Sequence, residues 1–250
     1  MIQLKSECDV SLVQHCGGDH MVVASAKVCT SGCSALSFQD GSAKNDKGEP
    51  WGEKDTAGLI SYLMKHRHGT PFEHGSMSFY VHAPIFVWRE WHRHRIGFSY
   101  NEESARYKQL EPVFYVPPRD RPMMKVEGWK PGRPKFLECE DHKTYDTLWS
   151  NLTTVYEQGY RTYLDNLSLG VDPGLARDCL PVGIFSGCWV TCNPRSLMSF
   201  LSLRVHDPAA KFVSYPLYEI DQAAQKCEEL FASLYPITHK AFVDNGRVAP

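Results

Sequence analysis

Residues 89–107 read Arg-Glu-Trp-His-Arg-His-Arg-Ile-Gly-Phe-Ser-Tyr-Asn-Glu-Glu-Ser-Ala-Arg-Tyr. Three arginines and two histidines fall in the first seven positions. The apolar run Ala83-Pro84-Ile85-Phe86-Val87-Trp88 feeds straight into them, so a packed element places the cluster. On a helix reaching about Arg93, Arg89 and Arg93 are neighbours four apart, and His92 and Arg95 neighbours three apart. Like charges that close need an anion. A solvated basic face, or ion pairs with Glu90, Glu102 and Glu103, is the plain reading. A phosphate grip is the functional one, because the guanidinium fork matches phosphate oxygens. The stretch from Ile96 to Tyr107 reads as a polar, hydroxyl-rich surface loop. Together the two stretches suit a ligand with phosphates, hydroxyls and an aromatic base.

Outward from this cluster, periodicity places the other elements. Met77 to His82 alternates and reads as a strand. Asp55 is a candidate cap for a helix with Leu59, Ile60, Leu63, Met64 and Arg67 on one face, ended by Gly69 and Pro71. Lys143 to Leu167 is a long helix whose apolar positions Tyr145, Leu148, Leu152, Val155 and Tyr163 step by three and four. Gly159 weakens its middle. Pro194 to Val205 reads as a helix with Leu197, Phe200 and Leu201 on its core side. Pro216 to Tyr235 reads as another, burying Ile220, Ala223, Ala224, Cys227, Leu230, Phe231 and Leu234. Residues 41–55 and the proline-rich stretch 116–134 read as loops. The pattern is helix-weighted without regular strand–helix alternation. It predicts an α+β fold, a mixed sheet with several long helices, in a single domain over 1–250.

The chain has 250 residues, is 42% hydrophobic, and carries a net charge of −2. That excludes a disordered chain and a general attraction to nucleic acid or membrane, so anion recognition must be local. No apolar run approaches the roughly 20 residues of a membrane span. The N-terminus has no signal-peptide pattern, and a cytoplasmic location is expected. Nine cysteines is an odd number and argues against a disulfide framework. Cys29/Cys33 and Cys188/Cys192 are spaced more widely than structural zinc pairs usually are, and reduced, mostly buried thiols are expected.

The triplet Arg93-His94-Arg95, a spacer, Ser104 and then Arg106-Tyr107 resemble the signature of the flavin-dependent thymidylate synthases. So do His68 to His74, Ala83 to Val87, Ala176 to Pro181 and Asn193 to Arg204. The resemblance spans roughly residues 20–243. It implies a homotetramer with active sites shared between subunits. It also implies bound FAD, NADPH as reductant, and methylenetetrahydrofolate as donor of a methyl group to C5 of dUMP or UMP. Carried over by position, Thr70, Arg93, His94, Arg95, Glu102, Asn193, Arg195 and Ser199 are expected at the flavin. His68 is expected near the flavin ring and folate. The nucleotide is expected against Glu90, Arg93, Glu103, Ser104, Ala105 and Arg106, with Arg177 on its phosphate. Arg204 matches the residue that activates the pyrimidine. Its cation stabilises an enolate-like uracil without giving up a proton. The plain alternative for Arg204 is a buried ion pair with Asp207 or Glu219.

Three positions depart from that pattern. Eight residues lie between Arg95 and Ser104 where the family usually has seven. Glu90 stands where Gln is common, and Ser199 where Asn is common. The first two predict an altered nucleotide pocket that tolerates a ribose 2′-hydroxyl. Two other readings of the residues are a metalloenzyme using His92, His94 and the paired cysteines, and an RNA-binding module. Side chains two apart on a helix point about 200° apart, which disfavours the first. The near-neutral charge disfavours the second.

Overall fold

The structure is a computed structural model and describes residues 1–45, 47–128, 130 and 134–250. Its strands are β1 (Gln3–Lys5), β2 (Asp9–Cys16), β3 (Ser76–Pro84), β4 (Phe98–Glu102), β5 (Val113–Tyr115), β6 (Met124–Lys125), β7 (Phe136–Leu137) and β8 (Phe185–Cys192). The helices are α1 (Asp19–Ser31), α2 (Ser37–Asp40), α3 (Glu53–Lys65), α4 (Ile85–Trp91), α5 (His142–Ser168), α6 (Pro173–Ala176), α7 (Pro194–Arg204), α8 (Tyr218–Leu234) and α9 (Pro236–Asp244). The α+β expectation holds. The main sheet is antiparallel, in the order β2-β3-β8-β4, while β1 pairs with β5 in parallel and β6 with β7 antiparallel.

Strand β3 buries Met77, Phe79, Val81 and Ala83 on alternate positions. Its neighbour β8 buries Cys188, Val190 and Cys192 in the same layer. Helices α7, α8 and α4 supply the other side of this core through Leu197, Phe200, Ile220, Phe231, Trp88 and Trp91. The Trp88 indole N–H donates to the carbonyls of Ala83 (3.1 Å) and Ser186 (3.0 Å). That bond pins the start of α4 to both central strands, so the basic cluster begins from a fixed point. A second core packs Phe114 against Tyr156, Tyr160 and Tyr163 of α5, with Ala105 and Ile184.

Several expectations are corrected. Helix α3 is capped at Gly52; Asp55 sits one turn in and accepts the Gly52 N–H (3.0 Å). The helix ends at Lys65, before Arg67, which is exposed. Helix α4 ends at Trp91, so Arg93 and Arg95 lie beyond it and the helical spacing argument does not apply to them. The expected loop after Ile96 contains β4: Phe98 and Tyr100 alternate with Ser99 and Asn101 and turn their rings toward Phe200 and His92. On α5 the buried residues are Tyr156, Tyr160 and Tyr163, while Leu148 and Val155 are exposed. Gly159 lies close against the following turn: an added Cβ would lie 2.8 Å from Pro181 Cδ and 3.0 Å from the Cys179 carbonyl oxygen. The glycine costs helix propensity and lets α5 press its tyrosine face against the turn that carries Arg177. On α8, Leu230 and Leu234 are half-buried where full burial is expected.

Among the described residues eight cysteines are free thiols. Cys16 and Cys29 are exposed, while Cys188 and Cys192 are in the core, where burial pushes the Cys188 thiol up to about 12. The side chain of Cys33 lies outside the described residues, and with it the Cys29/Cys33 pair. Among the described residues no group of three or more His, Cys, Asp or Glu is placed to hold a metal ion.

Candidate functional site

Arg204 is the last residue of α7, on the helix whose Leu197, Phe200 and Leu201 are buried as expected. That seat carries its side chain inward, leaving it 17% exposed. Three hydrogen bonds, to Glu90 of α4 and to His94 just beyond it, then hold the guanidinium. Its Nη1 donates to Glu90 Oε2 (2.7 Å), its Nη2 to the Glu90 carbonyl oxygen (3.3 Å), and its Nε to His94 Nε2 (3.0 Å). The ion-pair partner is therefore Glu90 of α4. Asp207 faces Arg247, and Glu219 pairs with Arg121.

His94 accepts from Arg204, so its proton sits on Nδ1. Burial, and then the adjacent Arg204 charge, lower its pKa to about 4. The unfolded chain takes up this proton near pH 6.5 and the folded chain only near 4. The unfolded state thus binds more protons across that window, and stability falls as pH drops through it. Thermal unfolding at pH 7, 6 and 5 is expected to show a smaller loss in His94→Gln than in the parent chain. Equal losses would mean that His94 is not held neutral.

Two cavities collect most of the remaining expected site residues. The first, about 520 Å³, is lined by Glu102, Glu103, Ser104, Ala105, Arg177 and Ser186, among others. Glu102 accepts the Ser186 hydroxyl (2.7 Å). Glu103 accepts the Gly187 N–H (2.7 Å) and pairs with Lys108 (2.8 Å). Arg106 and Arg177 are exposed, and neither forms an ion pair among the described residues. The second cavity, about 440 Å³, is lined by Gly97, Asn193, Arg195, Ser196 and Ser199 with the C-terminal Ala249 and Pro250. Asn193 caps α7 by accepting the Ser196 N–H (2.8 Å). Gly97, at φ +69, turns the chain into β4; a Cβ there would lie 2.1 Å from Ser196 Oγ. Arg195 donates to Glu73 (2.6 Å) and Pro250 (2.9 Å) and lies across Gly69, which brings the His68–Thr70 segment to the same place. His68 is exposed near Tyr62.

Arg89, Arg93 and Arg95 are exposed and make no ion pair among the described residues. The network with Glu90, Glu102 and Glu103 does not form, because those carboxylates are engaged elsewhere. Sequence reasoning did not single out Gly97 as a cavity wall, although a glycine two residues after the basic triplet was the available signal. It also did not single out Ser186, which lies on a strand with no clean alternation.

Residues 11–237 match the family model described as thymidylate synthase complementing protein. The flavin-dependent thymidylate synthase of Streptomyces coelicolor is 45% identical over 249 residues, covering 100% of this chain and 96% of that protein. That of Tropheryma whipplei is 43% identical over 245 residues, covering 98% and 96%. Crystal structures of the UMP/dUMP methylase PolB from Streptomyces cacaoi superpose over the whole chain. The one bound with 5-Br UMP has TM-score 0.87 at 40% identity and is covered to 99%; the one bound with 5-Br dUMP has 0.88 at 41% and is covered to 100%. The chain therefore belongs to the thymidylate synthase complementing protein family, the family of the flavin-dependent thymidylate synthases.

Proposed function

We propose that this chain catalyses the flavin-dependent reductive methylation of C5 of a uridine monophosphate, with methylenetetrahydrofolate as methylene donor and NADPH as reductant. The observation that carries the reading is the Arg204 guanidinium, held by Glu90 and His94 with two of its five N–H groups still free. Methylation at C5 needs electron density there. A fixed cation at the pyrimidine oxygen draws that density into the enolate-like form and needs no reorganisation during the reaction.

The second cavity is assigned to one end of FAD; its volume of about 440 Å³ is in the range of small-molecule sites but below that of the whole dinucleotide. Gly97 lets the chain pack closely on Asn193 and Ser196 in the cavity wall, and Arg93 and Arg95, just before it in the chain, offer cations without anions to a diphosphate. In this reading Thr70, Arg93, His94, Arg95, Asn193, Arg195 and Ser199 hold the cofactor, with His68 at its edge and Glu102, which lines the first cavity, reaching it from a neighbouring subunit. Bound there, FAD supplies the electrons that turn a transferred methylene into a methyl group.

Glu90, Arg93 and Arg204 take the base end of the nucleotide. Glu103, Ser104, Ala105 and Arg106 take the ribose and phosphate, and Arg177 grips the phosphate. Glu90 does not line the cavity that holds Ser104 and Arg177. This separation supports a homotetramer, in which each chain acts as one domain over residues 1–250 and neighbouring subunits complete each other's sites. In this reading the extra residue before Ser104 re-aims the loop between Arg95 and Ser104 and makes room for a ribose 2′-hydroxyl. No described helix is long and apolar enough to cross a membrane.

The purified protein is expected to show flavin absorption that bleaches on anaerobic addition of NADPH. The nucleotide that speeds bleaching, dUMP or UMP, identifies the substrate. A colourless protein that takes up no FAD would overturn the reading. Absence of turnover on UMP would overturn its tolerance of the 2′-hydroxyl alone.

A further inference from the structure

We propose that Arg67 is a further cofactor-binding residue: its guanidinium, seated in the left-handed turn that ends α3, meets a phosphate of FAD at the second cavity. This rests on the C5-methylation reading and adds to that site a cation lying just outside the His68–His74 motif.

Two backbone bonds close the end of α3. The Arg67 N–H donates to the Met64 carbonyl (3.2 Å), and the His68 N–H to the Leu63 carbonyl (2.9 Å). This pairing holds Arg67 in the left-handed conformation, at φ +59. Glycine is the usual residue there, because a Cβ crowds the backbone. Among the described residues only Arg67 and Arg247 take a positive φ without being glycine. Arg247 has a packing reason: it is 7% exposed and donates to both oxygens of Glu228 (2.9 and 2.6 Å). Arg67 has none. It is exposed, and its side chain makes no hydrogen bond or ion pair among the described residues. Backbone strain without a packing partner is a mark of ligand clamps. The field of the helix C-terminus favours a cation anywhere in the last turn, where Lys65 already stands, and does not call for the left-handed position.

The neighbours set the direction of the side chain. His66 and His68 both turn back toward the Tyr62 ring of α3, with centroids 4.4 and 6.0 Å from it. Arg67 between them faces the second cavity, which it lines with Glu73 and Arg195. Those two are engaged with each other: Arg195 donates to Glu73 Oε1 (2.6 Å) and to the Pro250 carbonyl (2.9 Å). The Arg67 fork has all its donors to offer. FAD carries its negative charge on its two phosphates alone, so a cation without an anion in this cavity meets a phosphate. A guanidinium does so through two parallel N–H groups. Arg93 and Arg95 supply such cations from one segment, and Arg67 brings α3 into the same grip.

The test compares Arg67→Gly with the parent chain, both purified and stripped of flavin. Glycine keeps the turn and removes only the side chain. Without cofactor, Arg67→Gly is expected to unfold at the parent's temperature or above it, because the left-handed strain is relieved. Titrated with FAD, it is expected to bind roughly ten- to hundredfold more weakly, the range for a lost hydrogen bond between charged groups. Its FAD affinity is also expected to fall less steeply with ionic strength, since one screened ion pair is gone. Arg67→Lys keeps the charge without the fork and is expected to lie between the two.

An unchanged FAD affinity in Arg67→Gly overturns the proposal. So does an unaltered salt dependence. So does a lower unfolding temperature without cofactor, which would make the side chain part of the framework of the fold. A parent chain that takes up no FAD overturns the reading of the cavity itself, which keeps the two failures distinct.

Discussion

Arg204→Lys is expected to lower the turnover number for C5 methylation by roughly 10²–10³-fold, the cost of removing one preorganised electrostatic donor. Lysine keeps the charge and loses the fork. The guanidinium donates through Nε, Nη1 and Nη2 to His94 and to two atoms of Glu90 in fixed directions. An ammonium on a flexible stem cannot fill all three contacts and still point at the pyrimidine. KM is expected to move less than kcat, because the interaction strengthens as charge develops. Steady-state turnover with dUMP and UMP measures this, with flavin content and thermal unfolding confirming that the fold survives. An unchanged kcat would remove Arg204 from the chemistry and return it to the role of a structural ion pair.

The largest expected loss of stability lies away from the site. Glu219 on α8 has a side chain 2% exposed, and it accepts from Arg121 Nε (2.5 Å), from Arg121 Nη2 (3.2 Å) and from the Tyr115 hydroxyl. Burial and the Glu219 charge push the Tyr115 phenol up, so it remains a donor. Glu219→Ala strands a half-buried guanidinium and a buried hydroxyl together. Breaking one side of a buried pair costs about 3–5 kcal/mol. For a chain of this size that lowers Tm by on the order of 10 °C. Replacing Glu219 and Arg121 together with apolar residues is expected to cost less than the single change, because no charge is left unpaired. Thermal unfolding of the three proteins checks both statements; a single-mutant loss below about 1 kcal/mol would mean that water reaches the pair.

Much of this was legible in the sequence, and the reasons are local. Helix α7 was readable because Leu197, Phe200 and Leu201 repeat at helical spacing and Pro194 marks the first turn. Strand β3 was readable because Phe79 and Val81 alternate with polar neighbours. Strand β8 was not, because Gly187, Cys188, Trp189 and Val190 follow one another without alternation; its middle position in the sheet is a long-range fact. Strand β4 was hidden by polar residues at an exposed edge. The family motifs gave the site residues their names, but only the fold shows which of them meet. The partner of Arg204 is 114 residues away at Glu90, whereas the local candidates Asp207 and Glu219 are occupied by others.

The tryptophan beneath the basic triplet has an optical consequence. Trp91 is 1% exposed and stacks on Phe200 with ring centroids 4.7 Å apart, in the layer that supports Arg93 to Arg95. Its indole N–H has no partner among the described residues. An indole so shielded from water emits at short wavelength, and a flavin seated over the arginines would absorb that emission. The fold thus places one of the six tryptophans beneath the basic triplet, and, in the reading that a flavin binds there, the loss of its emission on cofactor addition becomes a built-in gauge of loading.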